Sequence, residues 1–248
     1  MKKMVIKSCG NPLVKELSAL KDKKFRNLSG TFLVEGGKMV RECIASGLKV
    51  KRLILREDYA GEEYDFPAVV LGVDAFKAVC DAVTPQGIAA EVFLPQGALY
   101  PPKGSCLLLD GVSDPANVGA IIRTAVASGY EELYLADCAD PFSPKSVRAS
   151  MSGVFYANLM RGTRQEILTA LAGVPLIAAD MDGENVFTFS SPQKFALCIG
   201  NEGNGLSKEV SSRAEYTVKI PMDSRTESLN AAVSAGILMY VLKQKSFK

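Results

Sequence analysis

A chain of 248 residues, 48% of them apolar, is long enough for one large domain or two small ones with real cores. It contains no histidine, which excludes Ser-His-Asp and Cys-His nucleophilic machinery, imidazole acid–base work and most transition-metal sites. The net charge of +2 conceals an asymmetry: residues 1–56 carry 14 Lys and Arg against 4 Asp and Glu, and the remainder 15 against 23. A polyanion is therefore expected, contacted mainly through the N-terminal part.

The start, MKKMVIKSCG, is basic but Lys7 interrupts any apolar signal region. Asn11-Pro12 predicts a helix start, with the amide as cap and proline at the first helical position. Leu13, Leu17 and Leu20 form its apolar stripe, while Lys15, Lys21, Lys23, Lys24 and Arg26 supply charge. Strands are expected at 31–34, 50–55, 68–71 and 88–93, with helices over 38–46 and near 74–82. These make a small alternating α/β unit over residues 1–94. LPQGALYPPKG, with three prolines and two glycines, reads as a linker at 95–104.

The second unit, 105–248, opens on Cys106-Leu107-Leu108-Leu109, apolar enough for a strand buried on both faces. Gly111 and Asp114-Pro115 break the chain, and a helix follows with Val118, Ile121, Ile122 and Ala125 on one stripe and Gly129 at its end. Further strands are expected at 132–136, 174–178, 195–199 and 217–220. Helices are expected within 143–153 and over 165–171 and 227–243. Alternating strands and helices predict a mostly parallel sheet covered on both faces. The apolar stretch 231–242 contains Ser and Gly and is too short to span a bilayer. A soluble cytoplasmic protein is expected. The cysteines show no CxxC pair, so they read as small buried hydrophobes and no metal is expected.

Three strand-to-helix turns carry polar residues where open α/β sheets place ligands. At the first, Asn117 either caps the helix or faces a ligand, and Arg123 either reaches solvent or meets a substrate. At the second, GNEGNG over 200–205 lets backbone approach a ligand closely, or simply makes a tight turn. Its order is G-x-x-G-x-G, which does not match the dinucleotide fingerprint, and no P-loop follows. A nicotinamide oxidoreductase therefore lacks its signature. At the third, Ser228 and Asn230 stand where the last helix begins, as caps or as ligand contacts.

DGVSDPANVGAIIRTAVASG, LCIGNEGNGLS and IPMDSRTESLNAAVSAGILMY, in that order, resemble the blocks of the SpoU (TrmH-like) branch of the SPOUT RNA methyltransferases. SPKSVRASMSGVF fits the intervening block, and the likeness covers residues 106–240. FLVEGGKMVRECI looks like part of that family's ribosomal-protein-like, RNA-substrate-binding domain. Two departures stand out: Pro85 in Thr84-Pro85-Gln86-Gly87, where the family often has His, and Ser224, where it often has Gly.

The resemblance implies an α/β fold whose C-terminal SPOUT domain is threaded into a deep trefoil knot. It also implies a homodimer, S-adenosylmethionine as cofactor, and methyl transfer to a ribose 2′-hydroxyl of structured RNA. Ribosomal RNA is the expected substrate because of the extra N-terminal domain; transfer RNA, or an inactive RNA-binding module, are the alternatives. DNA is not expected as a partner. By the same resemblance Gly200, Ile220 and Leu229 line the cofactor pocket, and Asn117, Arg123, Glu202, Ser228 and Asn230 are the catalytic positions. Arg123 stays protonated and is a poor base. It can hold an RNA phosphate that takes the proton, with Glu202 as the competing base.

Overall fold

The computed structural model describes residues 4–95, 97–226 and 228–244. The chain folds as two units, Met1–Gln96 with Phe142–Phe155, and Gly97–Pro141 with Tyr156–Lys248. Residues 142–155 thus lie with the first unit in space, although in sequence they fall within the expected 105–248 unit. Apolar packing draws them there: Phe142 and Val147 are buried, and the Phe142 ring sits 5.0 Å from that of Phe32.

In the first unit the elements are β1 (Val5–Ile6), α1 (Pro12–Ala19), α2 (Lys23–Ser29), β2 (Thr31–Glu35), α3 (Gly37–Ala45), β3 (Val50–Arg56), β4 (Ala68–Leu71), α4 (Val73–Val79) and β5 (Ile88–Phe93). The sheet order is β1-β4-β3-β5-β2. β4 pairs parallel with β1 and β3, and β5 pairs antiparallel with β3 and β2. Asn11 caps α1 as expected, its Oδ1 accepting from Leu13 N at 2.9 Å. The helix ends at Ala19 rather than continuing through the lysines, because Asp22 caps a second helix, accepting from Lys24 N at 2.7 Å. Val14, Leu17 and Leu20 pack against Ile54, Leu71 and Phe76 in the core.

Arg26 corrects the expectation of an exposed charge. Only 2% exposed, it donates from Nη1 to the carbonyls of Leu20 and Lys21 at 2.7 and 2.8 Å. It closes the α1–α2 junction from inside. Lys51 and Arg52 are also engaged, each 2.8 Å from the buried Glu91 carboxylate. Part of the N-terminal positive charge therefore serves the fold, while Lys23 and Lys24 remain exposed.

In chain order the rest comprises β6 (Cys106–Asp110), α5 (Pro115–Ala127), β7 (Glu132–Ala136), α6 (Pro144–Ser150), β8 (Asn158–Gly162), α7 (Arg164–Ala170), β9 (Leu176–Asn185), β10 (Ala196–Ile199), α8 (Lys208–Ser211), β11 (Tyr216–Lys219) and α9 (Ala231–Leu242). Of these, α6 belongs to the first unit. The second unit's sheet has the order β11-β9-β10-β6-β7-β8 with every pair parallel. β6 is buried throughout, and each of its leucines stabilises the fold by roughly 1.5–3 kcal/mol. Strands run outward from β6 through β7 in one direction and from β10 through β9 in the other. The turns after β6 and β10 therefore lie side by side at the carboxyl end of the sheet, the usual ligand position in such sheets.

Candidate active site

The turn after β6 enters α5 through Asp114, whose Oδ1 accepts from Ala116 N at 3.0 Å, with Pro115 at the first helical position. Val118, Ile121, Ile122 and Ala125 are all buried, as their spacing predicts. Asp114, not Asn117, is the cap. Asn117 lies inside the first turn, 8% exposed, and its amide has to be satisfied by other segments.

Those segments are the other two turns. Asn117 donates from Nδ2 to Glu202 Oε1 at 2.9 Å and accepts from Asn230 Nδ2 at 3.0 Å. Asn230 is itself the cap of α9, its Oδ1 accepting from Ala232 N and Val233 N at 2.9 and 3.3 Å. One side chain thus fixes both the start of a helix and the orientation of Asn117. Glu202 also accepts from Ser113 N and Oγ at 3.2 and 2.9 Å and from Asp114 N at 3.3 Å. Burial by itself would raise the Glu202 pKa; the hydrogen bonds from Asn117, its own backbone and Ser113 outweigh it and hold the carboxyl at about 2. Both of its oxygens are already taken by donors of the 113–117 turn, so neither is free to face a hydroxyl, which disfavours Glu202 as the base.

The loop that presents Glu202 is shaped by Asn201, a residue that sequence reasoning did not single out. Its Oδ1 accepts from Gly203 N and Asn204 N, both at 3.0 Å, and its Nδ2 donates to Gly111 O at 2.9 Å. Asn201 and Gly205 also exchange backbone hydrogen bonds at 2.9 and 3.0 Å. This closure brings Gly200 against Gly205 so tightly that a Cβ on Gly200 would stand 2.3 Å from the Gly205 carbonyl carbon. Only glycine fits there.

Asp110 was likewise not singled out. Its side chain is fully buried, accepting from Arg164 Nε at 2.6 Å and from Ser207 N at 2.7 Å. Arg164 additionally pairs with Asp137. Asp110 so ties the end of β6 to the far end of the 200–207 loop. A charged residue closing an apolar strand run was the available signal.

Gly200, Ile220 and Leu229 line one cavity of about 220 Å³, together with Glu202 and Ser228. Its floor is apolar, from Ile199, Val218 and Leu238, and Lys219 is the one cation among its described lining residues. Ser228 is exposed at this cavity, with no side-chain hydrogen bond to a described residue. Arg123 lies further along α5, exposed, with no hydrogen bond or ion pair to any described residue. Five of the expected residues therefore line one cavity, Asn117 and Asn230 join it through Glu202, and Arg123 stands apart from the cavity lining. Glu227 lies outside the described residues.

Comparison with known proteins matches residues 104–240 to the SpoU rRNA Methylase family and residues 11–90 to an MRM3-like substrate binding domain. The chain belongs to the SpoU family. It is 33% identical over 245 residues, 96% of this chain and 98% of the relative, to the 23S rRNA (guanosine(2553)-2′-O)-methyltransferase RlmP of Bacillus subtilis. Among solved SpoU-like structures, an AdoMet-bound rRNA methyltransferase from Sinorhizobium meliloti superposes with a TM-score of 0.87 at 28% identity, covering 99% of each chain. The SpoU methyltransferase AviRb from Streptomyces viridochromogenes, in complex with AdoMet, gives 0.88 at 27% identity over 96% of this chain and 99% of its own. The α/β fold with a parallel C-terminal sheet is that of these SpoU relatives. No helix among the described residues is long and apolar enough to cross a membrane.

Proposed function

We propose that the chain transfers the methyl group of S-adenosylmethionine to a ribose 2′-hydroxyl of ribosomal RNA, as a cytoplasmic homodimer carrying the knot that the family resemblance implies. The observation that carries this reading is the Asn230–Asn117–Glu202 hydrogen-bonded chain, drawn from three separate turns beside one cavity in a SpoU family member. The likeness to RlmP makes 23S rRNA the first substrate to try.

The cavity's chemistry fits the cofactor. A phosphate-bearing nucleotide needs a cluster of donors and cations, and Lys219 alone does not provide it. Apolar walls suit an adenine, and the carboxylates of Asp180 and Glu202 at the lining suit a sulfonium charge. When bound, S-adenosylmethionine supplies an electrophilic methyl group. Gly200, Ile220 and Leu229 are assigned to holding it.

The protein's part is positioning. Glu202, acceptor to Ser113, Asp114 and Asn117, fixes the 113–117 turn rather than taking a proton. Asn117 and Asn230 hold each other's amides in one orientation. Arg123, free of internal partners among the described residues, is assigned to an RNA phosphate beside the acceptor ribose, and that phosphate receives the hydroxyl proton. Ser228 is assigned to orienting the acceptor.

Mapping 2′-O-methylated sites in RNA from cells with and without the gene, followed by single-turnover methylation of the missing site by purified protein, tests this reading. The expected result is one ribosomal site that disappears and is restored in vitro. Disappearance of a transfer-RNA site instead would move the substrate, and an unchanged methylation map would overturn the assignment.

A further inference from the structure

The first unit holds a second cavity, of about 300 Å³, and no described residue lines both it and the cavity above. Its walls are Leu33 and Ile88 from the sheet, Met39 from α3, Pro85, and Val147 and Met151 from the 142–155 segment. This volume is at the low end for an organic ligand.

Three polar side chains at the cavity have hydrogen-bonding capacity unused among the described residues. Gln86 accepts from Gly37 N through Oε1 at 3.0 Å, which leaves its Nε2 hydrogens unused among the described residues. The Thr84 hydroxyl and the Lys38 ammonium likewise have no hydrogen bond or ion pair to a described residue. Glu35, by contrast, is spent on the loop itself, accepting from Asp81 N and Ala82 N at 2.7 and 3.1 Å. The open polar groups are therefore mainly donors.

Met151 is an independent sign that the cavity is built. Its φ is +51°, a left-handed conformation that side chains rarely adopt, and it stands at the C-terminal cap of α6. Glycine would satisfy the turn without strain, yet a long thioether is kept there and lines the cavity.

We propose that this cavity holds one unpaired nucleobase of the RNA substrate, its faces between the Met39, Met151 and Pro85 side chains and its acceptor edge toward Gln86 and Thr84. The proposal rests on the RNA-methylating reading above. A phosphate would lose its hydration against these apolar walls, whereas a base has apolar faces and a polar edge, and unpaired bases are what proteins read in structured RNA. Exposed Lys38 at the same cavity suits a flanking phosphate, whereas Arg148 is already paired with Asp81 at 2.9 Å.

The test uses the full chain and unmodified, protein-free ribosomal RNA transcripts. Met151→Gly removes a wall while relieving strain, so its melting temperature should equal or exceed wild type. Its KM for RNA should rise about tenfold, the scale of removing one stacked base. Thr84→Val, at an exposed position, removes one donor and should raise KM several-fold, and S-adenosylmethionine affinity should hold in both. A purely structural Met151 would not combine retained stability with weakened RNA binding. If both variants keep a wild-type KM, as they would were the cavity a protein-docking site, the proposal is overturned; if Met151→Gly does not fold, Thr84→Val alone decides. A wild-type protein that methylates no RNA overturns the functional reading, and this proposal with it.

Discussion

Asn117 and Glu202, 85 residues apart in sequence, meet at 2.9 Å, and the amide's other end is held by Asn230 at 3.0 Å. Asn117→Asp would replace the donor by a second carboxylate facing Glu202. Two carboxylates in hydrogen-bond reach cannot both ionise cheaply, so one pKa rises and the turn loosens near neutral pH. Turnover should fall about 10²–10³-fold, the scale for one preorganised donor. Single-turnover methylation checks this, and a rate within a few-fold of wild type would remove Asn117 from the site.

Glu202 links stability to pH. Its carboxyl is held at about 2 in the folded chain, against roughly 4.3 when unfolded. A depressed carboxyl contributes stability that is fully present above the unfolded value and lost as pH falls from there through the folded one. Glu202→Gln should therefore lower the melting temperature at neutral pH and flatten its decline in acid. Melting curves from neutral pH down to about pH 3 measure it; an unchanged acid limb would show that the hydrogen bonds do not hold the charge.

Arg164→Ala would leave the fully buried Asp110 carboxylate with Ser207 N as its remaining hydrogen-bond donor. Breaking buried pairs costs about 3–5 kcal/mol, and about 2 is expected here because Arg164 is 30% exposed and water can replace part of the guanidinium's hydrogen bonding. Since Ser207 caps α8 at the end of the 200–207 loop, cofactor affinity should weaken as well. Denaturant unfolding and calorimetric titration separate the two effects.

Arg26 and its lysine neighbours should divide cleanly. Arg26→Ala leaves the buried Leu20 carbonyl and the part-buried Lys21 carbonyl without this donor, at about 1–3 kcal/mol of stability, and should not alter the salt dependence of RNA binding. Lys23→Ala with Lys24→Ala should leave stability nearly unchanged and flatten the slope of log affinity against log salt by about 0.7–0.9 for each phosphate no longer neutralised. An unaltered slope in the lysine pair would mean that α2 faces only water.

Arg123→Ala should cost little stability, since the side chain is exposed and unpaired among the described residues, but about 10²–10³ in turnover. Arg123→Lys keeps the charge and loses the planar fork, so it should restore RNA binding more than rate. Equal rates in all three proteins would return Arg123 to the solvent.

The parts of this site that could be read from sequence are those fixed by local chemistry. The Val118–Ile121–Ile122–Ala125 stripe placed α5, and the polar residues at three strand ends marked the turns that meet. The parts that could not be read are choices made by tertiary packing. Nothing near Arg26 in sequence says that Leu20 and Lys21 will turn their carbonyls inward. Asn117 looked like a cap because Asp114, three residues earlier, was equally eligible, and backbone geometry chose Asp114. β8 was not foreseen because Asn158–Gly162, with Arg161 in it, lacks the apolar run that marks a buried strand. The 142–155 segment went to the first unit through Phe142, whose ring partner Phe32 lies more than a hundred residues back, and through the burial of Val147.

That segment has a consequence for anyone building hybrids within the family. Because 142–155 folds with Met1–Gln96, the polypeptide passes from one unit to the other at 96–97, 141–142 and 155–156. A graft that exchanges residues 1–96 alone would marry the donor's Phe32 pocket to the recipient's Phe142 and Val147, two surfaces with separate histories. Substrate preference transplanted in this way should travel only when both pieces are exchanged together, so the unit of inheritance is discontinuous in the gene.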